Sequence, residues 1–216
     1  YNLKNVKLIL GDAGDDYFLK NYFKKKNIDE IYHASAYKHV SFGEENPYSM
    51  IKNNIFSTNT IVNFAIKKKV KNFIFISSDK AVKPKSILGI TKRFGEKIIQ
   101  NVFLKNKKNI ITNFTIVRFG NVIGSSGSVI PIFLKQISNN LPLTVTHKKV
   151  KRYFMSISEA VQLVINASYL NKRNLRIYAL NMGTQILIYD IAKRIVRLSG
   201  KTIKNKNNPT GDVSIN

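Results

Sequence analysis

An apolar strand, Asn72-Phe-Ile-Phe-Ile76, runs straight into Ser77-Ser78-Asp79-Lys80-Ala81, and a helix begins near Ser86. Consecutive hydroxyl, carboxylate and amine side chains put an acid and a base within hydrogen-bond reach of one bound molecule. By themselves the same residues also read as a strand-end turn closed by a surface ion pair, because Asp is common in turns and Ser commonly caps them. On the following helix, positions 88 and 92 lie one turn apart and so share a face; they are Leu88 and Lys92. His33, His39 and His147 show no ligand spacing and the chain has no cysteine, so no metal site is expected.

Short apolar runs alternate with amphipathic stretches. The runs predict strands at Val6 to Leu10, Glu30 to Ala34, Phe73 to Ser77, Thr115 to Phe119 and Arg176 to Leu180. Helices are predicted over 15–26, 47–69, 86–105, 127–139, 158–170 and 188–199, with Pro47 in a first turn and Ser158-Glu159 at a helix start. Near-continuous apolar strands separated by helices imply an α/β fold, a Rossmann-like doubly wound parallel sheet. Residues 1–120 are expected to form a partial dinucleotide-binding domain and 121–216 a mixed portion with a small C-terminal substrate-binding part. No Gly-x-Gly-x-x-Gly turn is present. Gly11 and Gly14 are mis-spaced beside Asp12, as are Gly120, Gly124 and Gly127, so both groups read as turns. The first strand and the phosphate loop are expected upstream of Tyr1.

The charge of +24, from 36 basic and 12 acidic residues, suits a polyanion partner or reflects a compositional bias toward Lys, Asn and Ile. Lysines are spread along the chain without interleaved aromatics, so a nucleic-acid partner is not expected, while a doubly negative nucleotide fits the field. No apolar run approaches the ~20 residues needed to span a bilayer.

Five segments together resemble one family: His33-Ala-Ser-Ala-Tyr-Lys-His-Val40, Asn54-Ile-Phe-Ser-Thr58, Ser77-Ser-Asp-Lys-Ala81, the run Arg118 to Pro131, and Arg152-Tyr-Phe-Met155. In order and spacing they are similar to the CapD-like polysaccharide-biosynthesis proteins, extended short-chain dehydrogenase/reductases that act as UDP-N-acetylglucosamine 4,6-dehydratases. The resemblance runs from Val6 to Ser214. It implies NADP or NAD as cofactor, C4 oxidation of the sugar, elimination of water across C5 and C6, and hydride return to C6.

The family's roles fall on named positions. Asp79 would protonate the leaving hydroxyl, Lys80 would take the C5 proton, Ser78 would bind the sugar's 4-oxygen, and Lys92 would hold the nicotinamide ribose. Leu88 stands where the superfamily has its Tyr base, and leucine carries no proton. Asp12, Ala34, Ser35, Ala36 and Asn54 would border the cofactor; Lys38, His39, Asn121, Ser128, Val129, Pro131 and Arg152 would border the UDP-sugar. Alone, Asp12 reads as a turn residue, Lys92 and Asn54 as exposed helix residues, and Val129 as part of a core ridge. The resemblance further implies a homo-oligomer in the cytoplasm, reaching the inner face of the inner membrane only through other parts of a longer parent. A 4-epimerase of the same fold and a catalytically degenerate basic binding protein are the competing readings.

Overall fold

The computed structural model describes residues 4–125, 127–171 and 175–216. The chain divides into two compact units: Tyr1–Arg118 with Ala167–Tyr178, and Phe119–Asn166 with Ala179–Asn216. In chain order the first unit begins with α1 (Asp16–Tyr22), β1 (Glu30–His33), α2 (Val40–Glu45) and α3 (Pro47–Ile51). A π-helical turn (Lys52–Phe56) joins α3 to α4 (Ser57–Lys67), followed by β2 (Asn72–Ile76). A 3-10 turn (Asp79–Ala81), α5 (Ile87–Asn106) and β3 (Asn113–Arg118) follow. The remaining elements are β4 (Asn121–Val122), α6 (Val129–Ser138), β5 (Lys151–Arg152), β6 (Phe154–Met155), α7 (Ile157–Leu170), β7 (Leu175–Ala179), β8 (Ile186–Leu187), α8 (Ile188–Leu198), β9 (Ile203–Lys204) and β10 (Val213–Ser214).

The first unit is an α/β layer structure around a sheet of order β1-β2-β3-β7. Strands β1, β2 and β3 are parallel, with His33 opposite Phe75 and Phe75 opposite Ile116. A polar ladder marks one end of this register: Asn113 donates to Asn72 at 3.1 Å, and Asn72 donates to Glu30 at 2.9 Å. One face carries Phe73, Phe75, Phe114 and Ile116, which form a core with Leu19 of α1, Ile61, Val62, Phe64 and Ala65 of α4, and Ile99 of α5. On the other face the end of α7 and the residue after it approach, where Ser168 Oγ lies 3.1 Å from Tyr32 Oη and Asn171 Nδ2 donates to Thr115 Oγ1 at 3.1 Å. Burial on both faces is why β2 and β3 read as near-continuous apolar runs rather than alternating ones, whereas Tyr32 of β1 stays exposed.

The strand expected at Val6 to Leu10 does not form: those residues carry no strand pairing and expose Val6, Leu8 and Leu10 to solvent. A strand is held by its ladder, and among the described residues none lies beside this segment to complete one. The helix expected from Ser158-Glu159 starts earlier. Ser156 Oγ accepts from the Glu159 backbone N–H at 3.1 Å, while the Glu159 carboxylate accepts from Ser156 N–H at 3.3 Å, a capping box whose N-cap stands immediately before Ile157.

The second unit has its own core, in which Phe133 and Ile137 of α6 meet Ile188, Ala192, Ile195 and Val196 of α8. Paired two-residue strands surround it, β4 with β6, β5 with β8 and β9 with β10. Gly124 and Gly127 adopt positive φ, 76° and 65°, as turn glycines do. Ser126, between them, lies outside the described residues. No described helix is long and apolar enough to cross a membrane.

Candidate active site

The chemistry-bearing residues of the first unit gather where β1 and β2 end. Helix α5 is capped by Ser86, whose hydroxyl accepts from Gly89 N–H at 3.2 Å. The helix then presses closely on what precedes it. A Cβ at Gly89 would lie 2.5 Å from the Lys80 carbonyl oxygen, and one at Gly95 would lie 2.6 Å from the Phe75 ring. Between these contact points Lys92 passes inward: Nζ donates to the Ile76 carbonyl at 2.8 Å and stands 5.0 Å from the Phe75 ring centre. Only 8% of Lys92 is exposed, and burial lowers its pKa to about 8. Leu88, one turn earlier, is buried and brings no titratable group. The reading of Lys92 as an exposed helix lysine is therefore wrong.

Beside Lys92, residues 78–80 form a tight cluster. Ser78 caps the 3-10 turn by accepting from Lys80 N–H at 3.2 Å, and its hydroxyl donates to Asp79 Oδ1 at 3.0 Å. Lys80 Nζ donates to the same oxygen at 3.1 Å. Both side chains keep about a third of their surface exposed (36% for Asp79, 30% for Lys80), so the pair is solvent-accessible as well as self-paired.

Asn54 sits in the π-helical turn, a deviation that recurs at functional sites. It is 3% exposed rather than a surface residue. Its side chain clamps the loop after β1: Oδ1 accepts from Tyr37 N–H at 2.8 Å and Nδ2 donates to Tyr37 O at 3.0 Å and to Thr91 Oγ1 at 3.1 Å. The small residues Ala34, Ser35 and Ala36 precede that clamp. Lys38 is exposed, and His39 stands at the start of α2, where it borders a cavity of about 290 Å³ with Tyr37, Phe42 and Met50. Asp12 is exposed and accepts from Gly14 N–H at 2.7 Å, an Asx turn ahead of α1.

Glu96 belongs to no motif in the sequence and is fully buried in α5. It accepts from Ser77 Oγ at 2.6 Å, from Arg118 Nε and Nη2 at 2.7 and 2.5 Å, and from Arg93 Nη1 at 2.9 Å. Burial alone would push this carboxyl up, but the hydrogen bonds from Arg118, Ser77 and Arg93 together hold it below the usual range. Glu96 thereby ties α5 to the ends of β2 and β3. Its one sequence signal is its isolation: no other Asp or Glu lies within α5.

In the second unit, Asn121 N–H donates to Tyr153 O at 3.1 Å, which brings it beside the segment holding Arg152. Arg152 is exposed and donates to Lys151 O at 2.9 Å. Ser128 precedes α6, and its hydroxyl oxygen is buried without a partner. Val129 packs against the core of this unit, as a core ridge would, and Pro131 is half-buried in the first turn of α6.

Comparison with known proteins matches this arrangement to one family. Residues 2–215 fit the family model described as polysaccharide biosynthesis protein. The capsular polysaccharide biosynthesis protein CapD of Staphylococcus aureus is 47% identical over 171 residues, 79% of this chain and 28% of CapD. The probable polysaccharide biosynthesis protein EpsC of Bacillus subtilis is 46% identical over 193 residues, 89% of this chain and 31% of EpsC. Among solved structures, Pen from Bacillus thuringiensis superposes with a TM-score of 0.87 at 33% identity, covering 99% of this chain and 61% of Pen. The chain thus spans about three tenths of CapD and EpsC. With residues 2–215 inside the family model and CapD 47% identical over 79% of this chain, the chain belongs to the CapD-like polysaccharide biosynthesis protein family.

Proposed function

We propose that the protein is a nucleotide-sugar 4,6-dehydratase acting on UDP-N-acetylglucosamine with NADP or NAD. The observation that carries this reading is the Asp79–Lys80 pair, held 3.1 Å apart on the turn after β2 and joined by Ser78. Elimination of water across C5 and C6 needs a base for the C5 proton and an acid for the departing hydroxyl; a 4-epimerase needs neither. Relatives carry both names: a UDP-N-acetylglucosamine 4,6-dehydratase (inverting) of Campylobacter jejuni at 34% identity and a UDP-glucose 4-epimerase of Rickettsia bellii at 35%.

The residues around Lys92 fit a dinucleotide. One of its three donors is satisfied by Ile76 O and the cation faces Phe75, which leaves donor capacity for a ribose diol, while Ala34 and Ala36 allow close approach. When bound, the nicotinamide would supply hydride acceptance from C4 and return to C6. The protein's part is proton traffic. Leu88 cannot take the 4-hydroxyl proton, but the Ser78 hydroxyl, hydrogen-bonded to Asp79, offers a route for it to the carboxylate. Asp79 then delivers that proton to the leaving 6-hydroxyl. Lys80, in its amine form, takes the C5 proton and later returns it, so both groups end as they began. Arg152, exposed in the second unit, is a cation suited to the diphosphate of UDP.

The test is to incubate the protein, with whatever native sequence flanks it, with UDP-N-acetylglucosamine and follow the nucleotide sugar by mass spectrometry. Loss of one water, abolished by Lys80→Met, is expected. An isomer of unchanged mass would establish the epimerase, and binding of nucleic acid without UDP-sugar binding would establish the basic binding protein.

A further inference from the structure

The end of β1 contains a buried hydrogen-bond chain whose proton inventory can be closed. His33 is 2% exposed and its ring packs 5.6 Å from that of Phe75. Its Nε2 lies 2.9 Å from Thr58 Oγ1, and its Nδ1 lies 3.2 Å from Ser35 Oγ. Thr58 has one hydroxyl proton, and it is directed at the Asn54 carbonyl oxygen, 2.6 Å away. Thr58 can therefore only accept from His33, which fixes the proton on Nε2 and leaves Nδ1 as a bare acceptor. Nδ1 in turn takes the proton of Ser35. Burial first, and the Lys92 ammonium second, depress the imidazole pKa to about 3, so the ring stays neutral and the chain does not reverse.

We infer that His33 is a positioning residue that turns Ser35 into an acceptor-only contact, so that the exposed side of this hydroxyl selects a ligand hydroxyl or amide N–H donor and disfavours an anion. The inference rests on the reading that the loop after β1 borders the nicotinamide dinucleotide, whose ribose hydroxyls are donors of that class. Asn54 holds the same loop two residues on, through both backbone groups of Tyr37, so Ser35 is fixed from two sides. The direction of every hydrogen bond in the chain follows from the single proton on Thr58.

Two measurements test this in the protein with its native flanking sequence. Imidazole ¹⁵N spectra should show His33 as the Nε2–H tautomer, unchanged from pH 5 to pH 9; an Nδ1–H tautomer or a titration in that range would overturn the assignment. Binding of NADH, read by its own fluorescence, should weaken roughly 3- to 10-fold in Ser35→Ala, the range of one hydrogen bond. His33→Phe, which keeps the ring among phenylalanines, should weaken binding in the wild-type background and add nothing in the Ser35→Ala background. Additive losses, or unchanged binding in Ser35→Ala, overturn the role of His33 while leaving the cofactor reading intact. Failure of the unsubstituted protein to bind both NADH and NADPH would remove the cofactor reading, and this role with it.

Discussion

Replacing Lys92 with Met should stabilise the protein at neutral pH while abolishing cofactor binding. Lys92 is 8% exposed, and its pKa falls from 10.5 to about 8 through burial. Because the folded-state pKa lies below the unfolded one, the unfolded chain binds more protons between those values. Stability of the unsubstituted protein therefore rises as pH climbs from about 8 to 10.5, and is lowest once Lys92 is charged in both states. At about 1.4 kcal/mol per pKa unit, the cost of carrying the buried ammonium at pH 7 is about 3 kcal/mol. Methionine removes that cost but forfeits the bond to Ile76 O, worth about 1 kcal/mol. The variant should thus gain about 2 kcal/mol at pH 7, with the gain shrinking to about zero by pH 10. Urea unfolding followed by circular dichroism at both pH values reads this directly. A variant less stable at pH 7, or a difference that does not change with pH, would refute the reasoning that burial rather than pairing sets the state of Lys92.

Glu96→Gln leaves Arg118 and Arg93 without their carboxylate and should cost about 3 kcal/mol, the lower end for breaking a buried pair because Arg93 keeps contact with solvent. Since the Glu96 pKa is depressed on folding, its contribution is present above about pH 4.5 and lost as pH falls, so acid unfolding of the variant should be shallower than that of the unsubstituted protein. A loss under 1 kcal/mol in urea titration would sink the hub role given to Glu96. Gly89→Ala would drive a methyl group into the Lys80 carbonyl, a backbone atom that yields only by moving the turn. It should cost about 1–3 kcal/mol and lower dehydration of UDP-N-acetylglucosamine more than it lowers nucleotide binding. Equal losses in both would place the turn outside the chemistry.

The strand and helix alternation was legible because doubly covered strands must be apolar throughout and helices must be amphipathic. Strands β1, β2, β3 and β7 and six helical stretches fall within a few residues of expectation. Val6 to Leu10 misled because apolar content reports a tendency to pair and not the presence of a partner. The turn at Asp79–Ala81 was legible from Ser78 and Asp79, whereas the π-helical turn at Lys52–Phe56 and helix α2 carry no distinct signal in the sequence. The two-residue strands of the second unit are too short to carry a period. Burial was the larger gap: Lys92 and Asn54 look like surface helix residues in sequence, and only packing against β2 and the loop after β1 turns them inward. Glu96 was missed because two of its three partners, Ser77 and Arg118, come from segments distant in sequence.

The placement of Glu96 also explains why Lys92 remains uncompensated. The two residues are four apart on α5, the spacing at which Lys and Glu ordinarily pair on a helix. Here the Glu96 carboxylate is taken by Arg118, Arg93 and Ser77, and among the described residues no salt bridge reaches Lys92. Lys92 is left with a carbonyl and an aromatic face, neutral groups that orient an ammonium without neutralising it. A pairing between them would relieve the burial cost, yet it would occupy the donors that a diol could use. The charge that stabilises the fold and the charge available to a ligand are thus separated within one turn of helix. The basic side chains that perform this separation, Arg93 and Arg118, become part of the candidate site's design even though they touch none of its reacting groups.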